Sequence, residues 1–386
     1  MGRLALTPKG FAWFQKGHPW VFRDDLEKIH DAASGAIVTL EKKNGEFLAQ
    51  GFYSDRSKIV FRLVSRERGA VDREFWKGRL QRASQFRQAF VRNTTAYRLV
   101  YGESDGIPSL IVDRYGDHLV MQTLSQGADQ LTPLFAELLF ELFQPVSLIL
   151  RNDLSIRALE GLSQEKRILL GSLPGPVEVC EDDIRYAVDP WVGHKTGSYL
   201  DQRENRIRAG SHFRGRVLDA FCYQGLFGLH AARSAERVTC VDSSQEALDQ
   251  AAENARLNAL ENLEFRRENI FDFLKEEMER KSRYDGINLD PPAFAKSRGD
   301  VAAASRGYKE LNLRAIRLLK PGGILVTSSC SYNLSESKFL EILKDSARDA
   351  KAEMRIFEKR GQGADHPVLL TFPESFYLKC FCLEKR

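Results

Sequence analysis

Apolar residues along the chain change rhythm twice, and the changes mark off three stretches. Up to about residue 70 they come in short runs: Trp20-Val-Phe, Ala36-Ile-Val-Thr-Leu, Phe47-Leu-Ala-Gln-Gly-Phe-Tyr and Ile59-Val-Phe-Arg-Leu-Val. Turn formers such as Asn44-Gly45 and Ser54-Asp55-Arg56 separate them, which predicts a small all-β barrel over 1–70. A charged segment, 66–73, reads as a linker. Residues 74–91 then place Phe75, Leu80, Phe86 and Phe90 on one helical face. Strand-like runs follow at 97–101, 109–115 and 118–124, with a helix over 131–143 and a strand over 147–151. This middle stretch, 74–188, predicts a compact α+β domain.

From about Arg214 strands alternate with helices. Strands are expected at 216–219, 237–242, 262–265, 284–290 and 323–329, and helices through His230 and over 244–257 and 305–319. Such alternation is the pattern of a doubly wound, mostly parallel sheet. It predicts a Rossmann-like domain over 189–386, closed by a hairpin from the runs 368–372 and 377–383. The fold class is therefore multidomain α/β.

Length and composition agree: 386 residues suit two or three domains, and 43% hydrophobic with 28% charged residues is ordinary globular usage. No apolar run reaches the eighteen residues of a membrane span, and residues 1–11 contain no apolar signal stretch, so a cytoplasmic protein without a membrane partner is expected. The net charge of +4 is uneven, because the first hundred residues carry 19 Lys and Arg against 10 Asp and Glu. A basic N-terminal part suits phosphate anchoring, although a solvated basic surface has the same composition. The six cysteines, Cys180, Cys222, Cys240, Cys330, Cys380 and Cys382, form no Cys-x-x-Cys pair, so no metal site is expected. Cys380 and Cys382 alternate in an apolar run and read as core.

In doubly wound sheets ligands bind beyond the carboxyl ends of the strands, where the strand order reverses. The first such turn reads Asp219-Ala-Phe-Cys-Tyr-Gln-Gly-Leu-Phe-Gly. Gly225 and Gly228 permit a tight turn and close approach, but the Gly-x-Gly-x-x-Gly phosphate loop is missing. A carboxylate at Asp219 repels a diphosphate and suits an ammonium or sulfonium. Asp242 ends the second strand, where an acid can accept both ribose hydroxyls. A nucleoside with a cationic tail is S-adenosylmethionine. Asn269, after the third strand, stands where the adenine edge is read.

The fourth strand runs into Asp290-Pro-Pro-Ala-Phe, a stiff extended loop able to present a carboxylate and carbonyls to a planar base. After the fifth comes Thr327-Ser-Ser-Cys-Ser. A thiol there can reach the same base, and a thiolate adding to C6 of cytosine makes C5 nucleophilic. Cys330 is thus the candidate nucleophile and Asp290 the candidate base-recognition group. The plainer reading of Cys330 is a small core residue at a strand end.

At these residues the chain resembles the bacterial 23S rRNA cytosine-C5 methyltransferases built from a PUA domain, a central α+β domain and a Rossmann-like methyltransferase domain. The resemblance rests on Gly17-His-Pro-Trp-Val-Phe, Gly102-Glu-Ser-Asp-Gly-Ile-Pro, His194-Lys-Thr-Gly-Ser-Tyr-Leu-Asp-Gln-Arg, Asp290-Pro-Pro-Ala-Phe, Arg306-Gly-Tyr-Lys-Glu-Leu-Asn, Ser329-Cys-Ser and Ala364-Asp-His-Pro. It implies a PUA-like barrel, large-subunit rRNA as partner, a homodimer by analogy alone, and cofactor contacts from Lys195, Thr196 and Gln202. The chain departs from the pattern in three places. Asn269 replaces an acid, Ser198-Tyr199 replaces an aromatic pair, and the Asp-Pro-Pro loop has no cysteine, which leaves open the group that removes the C5 proton. Arg306, Tyr308 and Lys309 are further candidates for RNA contact, whereas His230 and the Asp365-His366 pair read as structural. A guanine-N methyltransferase on the same scaffold needs no thiol at 330, and a non-catalytic RNA-binding assembly factor needs no sulfonium site.

Overall fold

In the computed structural model, which describes residues 2–295 and 298–386, the N-terminal runs pair as one six-stranded sheet. Its strands are β1 (Arg3–Leu6), β2 (Trp20–Phe22), β3 (Leu26–His30), β4 (Ile37–Glu41), β5 (Phe47–Tyr53) and β6 (Ile59–Ser65), in the order β2-β6-β5-β4-β1-β3. Only β1 and β4 run parallel. Leu4, Leu6, Val21, Val38, Leu40 and Val60 share its core. The stretch is not all-β: helix α1 (Pro8–Gln15) interrupts it. Thr7 caps that helix by accepting the Gly10 N–H at 3.0 Å, with Pro8 at the first helical position. Thr-Pro is itself a helix-start signal, outweighed in the strand reading by the brevity of the helix.

Helix α2 (Arg73–Phe90) opens the next layer, followed by β7 (Ala96–Tyr101), β8 (Leu110–Tyr115), β9 (His118–Thr123), α3 (Gln126–Gln130), α4 (Thr132–Phe143), β10 (Ser147–Asn152) and β11 (Glu165–Gly171). The strands form a sheet in the order β11-β10-β9-β8-β7. Trp76 and Leu80 of α2 and Phe135, Leu138 and Leu139 of α4 bury its apolar face. A two-stranded ribbon, β12 (Val177–Glu181) and β13 (Ile184–Val188), follows.

Contacts divide the chain into a first unit of residues 1–179, 188–200 and 364–375 and a second of 180–187, 201–363 and 376–386. Residues 189–200 and 364–375, read from the sequence as part of the C-terminal domain, group with the first unit, and 180–187, read as part of the central domain, with the second. Arg87 donates to the Asp365 carbonyl at 2.8 Å, the Asp365 carboxylate accepts the Arg98 N–H at 2.9 Å, and Phe372 packs on Trp20 with ring centroids 4.6 Å apart. The run 368–372 is not a strand. Pro367 and Pro373 bracket it and deny a ladder two donors, and Val368 and Leu370 face solvent.

The second unit contains α5 (Arg203–His212), β14 (Arg216–Ala220), α6 (Leu226–Ala232), β15 (Arg237–Asp242), α7 (Gln245–Leu257), β16 (Leu263–Arg267), α8 (Ile270–Glu279), β17 (Tyr284–Leu289), α9 (Val301–Leu318), β18 (Leu319–Ser329), α10 (Glu336–Asp349), β19 (Met354–Arg360) and β20 (Lys379–Lys385). The sheet order is β16-β15-β14-β17-β18-β20-β19. β14 to β18 are parallel, and β20 lies antiparallel between β18 and β19 in place of the expected terminal hairpin. The order reverses between β14 and β17, which makes the gap beyond their carboxyl ends the switch point. Leu218, Ile287 and Leu325 from the sheet pack with Leu311, Ala315 and Phe339 from the helices. Among the described residues no helix is long and apolar enough to cross a membrane.

One buried ionic cluster braces this unit. Glu181 bonds to Arg206 through both carboxylate oxygens and to His230 Nε2 at 2.9 Å, and all three side chains are shut off from solvent. His230 is therefore structural. Burial opposes the charge on Glu181, but Arg206 and the His230 bond win and hold its pKa down at about 2. Glu181→Gln strands Arg206 as a buried charge and is expected to cost about 3–5 kcal/mol in urea unfolding; a loss below about 1 kcal/mol would show that the cluster does not brace the fold.

Candidate active site

The first strand-to-helix turn is held by a carboxylate that never reaches solvent. Asp219, at the end of β14, is 1% exposed. Its Oδ2 accepts the Gly228 N–H at 2.8 Å and its Oδ1 accepts from Asn288 Nδ2 at 2.8 Å. Asn288 on β17 is its register partner across the switch point. Gly228 is required at this spot, since a Cβ there would lie 2.5 Å from Cys240 Sγ and 3.2 Å from Asp219 Oδ2. The intervening loop is wound tightly, with Phe221, Tyr223 and Gly225 at φ values of 64°, 48° and 77°. For Phe221 and Tyr223 the left-handed backbone is strained by about 1–3 kcal/mol each, a feature that concentrates at binding loops. Asp242, ending β15, pins this loop: its Oδ2 accepts the Tyr223 N–H at 2.9 Å and its Oδ1 the Ser244 N–H at 3.0 Å. Asn269 is exposed and caps α8 by accepting the Phe271 N–H at 2.9 Å.

Asp290 follows β17 and is steered from α5. Gln202 Nε2 donates to Asp290 Oδ1 at 2.8 Å, while Gln202 Oε1 accepts from Asn205 Nδ2 at 2.7 Å. Gln202 therefore orients the carboxylate. Two residues beyond β18 the pleat settles which side chains face where. Ser329 and Ser331 are fully buried and turn inward, each 3.0 Å from the Tyr308 hydroxyl. Cys330, between them, is half-buried, and its Sγ lies 4.0 Å from the Pro291 carbonyl. The Ala295 N–H donates to Ser331 Oγ at 3.2 Å and ties the Asp-Pro-Pro loop to the cysteine turn. Tyr308 is a core residue, since its phenol anchors the two serines, and it is buried away from any RNA. Lys309 pairs with Asp349 at 2.7 Å.

Within the second unit the structure thus brings Gln202, Asp219, Gly225, Asp242, Asp290 and Cys330 to the carboxyl ends of the central strands. Lys195 and Thr196 belong to the first unit. The Thr196 hydroxyl donates to Asp113 Oδ2 at 2.5 Å and lies 3.0 Å from the Tyr115 hydroxyl, while exposed Lys195 places Nζ 4.4 Å from the centroid of the Tyr199 ring. A cleft of about 410 Å³ lies at the opposite, amino ends of the strands, lined by paired charges such as Arg216–Glu277 and Arg237–Glu264. It contains none of the expected residues. Asn288 was missed in the sequence because only the strand register brings it against Asp219.

Electrostatics decide which ligand this lining accepts. Three carboxylates, Asp219, Asp242 and Asp290, converge without a phosphate-binding glycine cradle, and the buried Oδ1 of Asn288 has no hydrogen-bond partner. That surplus of acceptors fits a nucleoside with a cationic tail and opposes a diphosphate. Burial above all, aided by the Asp290 and Asp242 charges, pushes the Asp219 pKa up to about 7 against the bonds from Asn288 and Gly228. The folded protein then holds a proton that the unfolded chain releases near pH 3.8. The stability from this group is full below that pH and is lost as pH rises through about 7. Glu181 and Glu358, both lowered to about 2, act in the opposite sense below about pH 4.5. Asp219→Asn is therefore expected to flatten the fall in urea midpoint between pH 5 and 8, and an unchanged slope would refute the assignment.

Comparison with known proteins matches two stretches of the chain to families. Residues 4–66 match a PUA-like domain and residues 212–367 a methyltransferase domain. The chain is 40% identical over 379 residues to the ribosomal RNA large subunit methyltransferase I of Aeromonas hydrophila, covering 96% of each chain. It is likewise 40% identical to the protein of the same name from Tolumonas auensis, covering 94% of each. Among solved structures, a methyltransferase candidate in complex with SAH superposes with a TM-score of 0.86 at 22% identity, and a SAM-dependent methyltransferase candidate from Streptococcus mutans with 0.84 at 22%, both over the full length of each chain. These shared folds extend end to end, and with relatives of such identity and coverage the chain belongs to the ribosomal RNA large subunit methyltransferase I family.

Proposed function

We propose that this protein transfers a methyl group from S-adenosylmethionine to C5 of a cytosine in large-subunit ribosomal RNA. The observation that supports the choice of base is Cys330: a half-buried thiol beside the Asp290 loop, flanked by two serines that the pleat turns away. A methyltransferase acting on an exocyclic or ring nitrogen has a lone pair to use and no need of a thiol.

The carboxylate lining suits the cofactor. Asp290 supplies negative charge toward the cationic end, Asp219 adds its own once the cation draws off the proton it holds up to about pH 7, Asp242 suits the ribose hydroxyls, and Gly225 gives the loop its turn. Asn269, Lys195, Thr196 and Gln202 are the remaining proposed contacts; Gln202 also orients Asp290. When bound, the cofactor supplies an electrophilic methyl group.

The chain's own residues prepare the acceptor. A Cys330 thiolate adds through Sγ to C6, the C5–C6 π pair moves toward C5, and the base becomes nucleophilic there. Asp290 accepts from the cytosine 4-amino group and fixes the ring against the Pro291 and Pro292 backbone. After methylation the C5 proton passes to water, its bonding pair re-forms the C5–C6 double bond, and the C6–S pair leaves with Sγ as thiolate. The basic N-terminal part, with its PUA-like domain, supplies RNA affinity that weakens with salt.

Two experiments test this reading. Cys330→Ala should abolish 5-methylcytidine formation, measured by nucleoside mass spectrometry of large-subunit rRNA incubated with enzyme, while cofactor affinity stays within about twofold. A methylguanosine product, or full activity of the variant, would overturn the cytosine mechanism. Asp219→Asn should weaken S-adenosylmethionine binding by about tenfold, about 1.4 kcal/mol, and weaken the sulfur-neutral S-adenosylhomocysteine less. Equal losses in calorimetry would mean that Asp219 acts through loop shape alone.

A further inference from the structure

Lys379 is the least expected charge in the second unit. It opens β20 as the register partner of Ser329, the residue before Cys330. Its side chain is 4% exposed. The ammonium donates to the Ser331 carbonyl at 2.7 Å and to the Tyr377 carbonyl at 2.8 Å. Among the described residues it forms no ion pair with a carboxylate. A buried ammonium held by carbonyls alone is costly, because desolvation is only partly offset by dipoles. Burial accordingly pushes the Lys379 pKa down to about 8, and the charges that pull it back are Cys330 first and Glu336 second.

We propose that Lys379 is the positioning residue of the cysteine turn and the cation that favours the Cys330 thiolate, its ammonium being held on the carbonyl of the next residue, Ser331. The proposal rests on Cys330 acting as nucleophile. In this arrangement the thiol proton leaves for water and an Sγ⁻ and Nζ⁺ pair remains. The Ser331 carbonyl held by Nζ also fixes the turn that aims Sγ. The other ionisable groups facing the turn are Asp290 from the loop after β17, Tyr308 from α9 and Glu336 at the start of α10. Burial pushes the Tyr308 phenol up, so it stays neutral, and the two carboxylates oppose a thiolate. Glu336 is itself paired with Lys359 at 3.0 Å, and Lys379 is the buried cation that offsets Asp290. It also removes an obstacle to release, since an ion-paired thiolate is the better leaving group when Sγ departs from C6.

The test reads thiol ionisation and is independent of methyl transfer. The full-length protein is alkylated with iodoacetamide from pH 5.5 to 9.5, and modification at residue 330 is followed by peptide mass spectrometry. Lys379→Gln keeps a donor for the carbonyls but loses the charge; Lys379→Met loses both; Lys379→Arg keeps the charge. The Gln and Met variants should move the alkylation profile to higher pH and slow the reaction at pH 7 by about tenfold, which corresponds to one pKa unit. The Arg variant should stay close to the parent. Should the Met variant fail to fold, as judged by its cofactor affinity, the Gln variant decides. A profile unmoved by Lys379→Gln would overturn the proposal. A shifted profile combined with a fully active Cys330→Ala protein would uphold the ion pair and remove the nucleophile reading instead.

Discussion

The second unit is organised by a carboxylate that has no water to solvate it. Asp219 clasps a backbone N–H from the start of α6 and the amide of Asn288 from the neighbouring strand, across the line where the sheet changes direction. Those two bonds set the depth of the turn between β14 and α6, and with it the strained backbone at Phe221 and Tyr223. Three acids facing one small space repel one another, and burial removes the solvent that would damp this. The region is stable as protein, and its surplus of acceptors fits a cationic ligand. A site that merely bound RNA would have no reason to keep such an unfavourable cluster.

A second constraint is parity. Along a strand, side chains alternate faces, and the three residues Ser329, Cys330 and Ser331 continue that alternation just past β18. Tyr308 takes both serines, so the thiol is the side chain left toward the Asp-Pro-Pro loop. The Ala295 to Ser331 bond then fixes the two loops to each other. Moving the cysteine by one position would send it into the core and bring a serine out. The exposure of the thiol is thus specified by register as much as by residue type.

Much of this could be read from the sequence because strand and helix rhythm tells which ends of which strands face the switch point. Asp219, Asp242, Asp290 and Cys330 each stand at such an end. What stayed hidden depends on distant pairing. Asn288 looks like an ordinary strand residue until it is set beside Asp219, and Lys379 looks like a solvated lysine until β20 inserts next to β18. Gln202 was expected at the cofactor, but its orientation of Asp290 depends on how α5 packs. The run 368–372 has strand composition, yet its flanking prolines and the packing of Phe372 on Trp20 override propensity. Tyr308 sits in a polar-looking segment, and only the helical face it occupies reveals that it is core.

The placement of β20 has a consequence for how the protein is made. It is the last strand in sequence, yet it pairs on both sides, with β18 and with β19. During synthesis β18 emerges about 50 residues ahead of its partner, and at roughly 5–20 residues per second its edge stays open for several seconds. An apolar strand with a bare edge is a template for wrong pairing. The first unit takes its segment 364–375 from this same stretch, so contacts within both units form only after residues 364–386 have been made. The order of synthesis thus leaves this apolar edge of the sheet to be covered last.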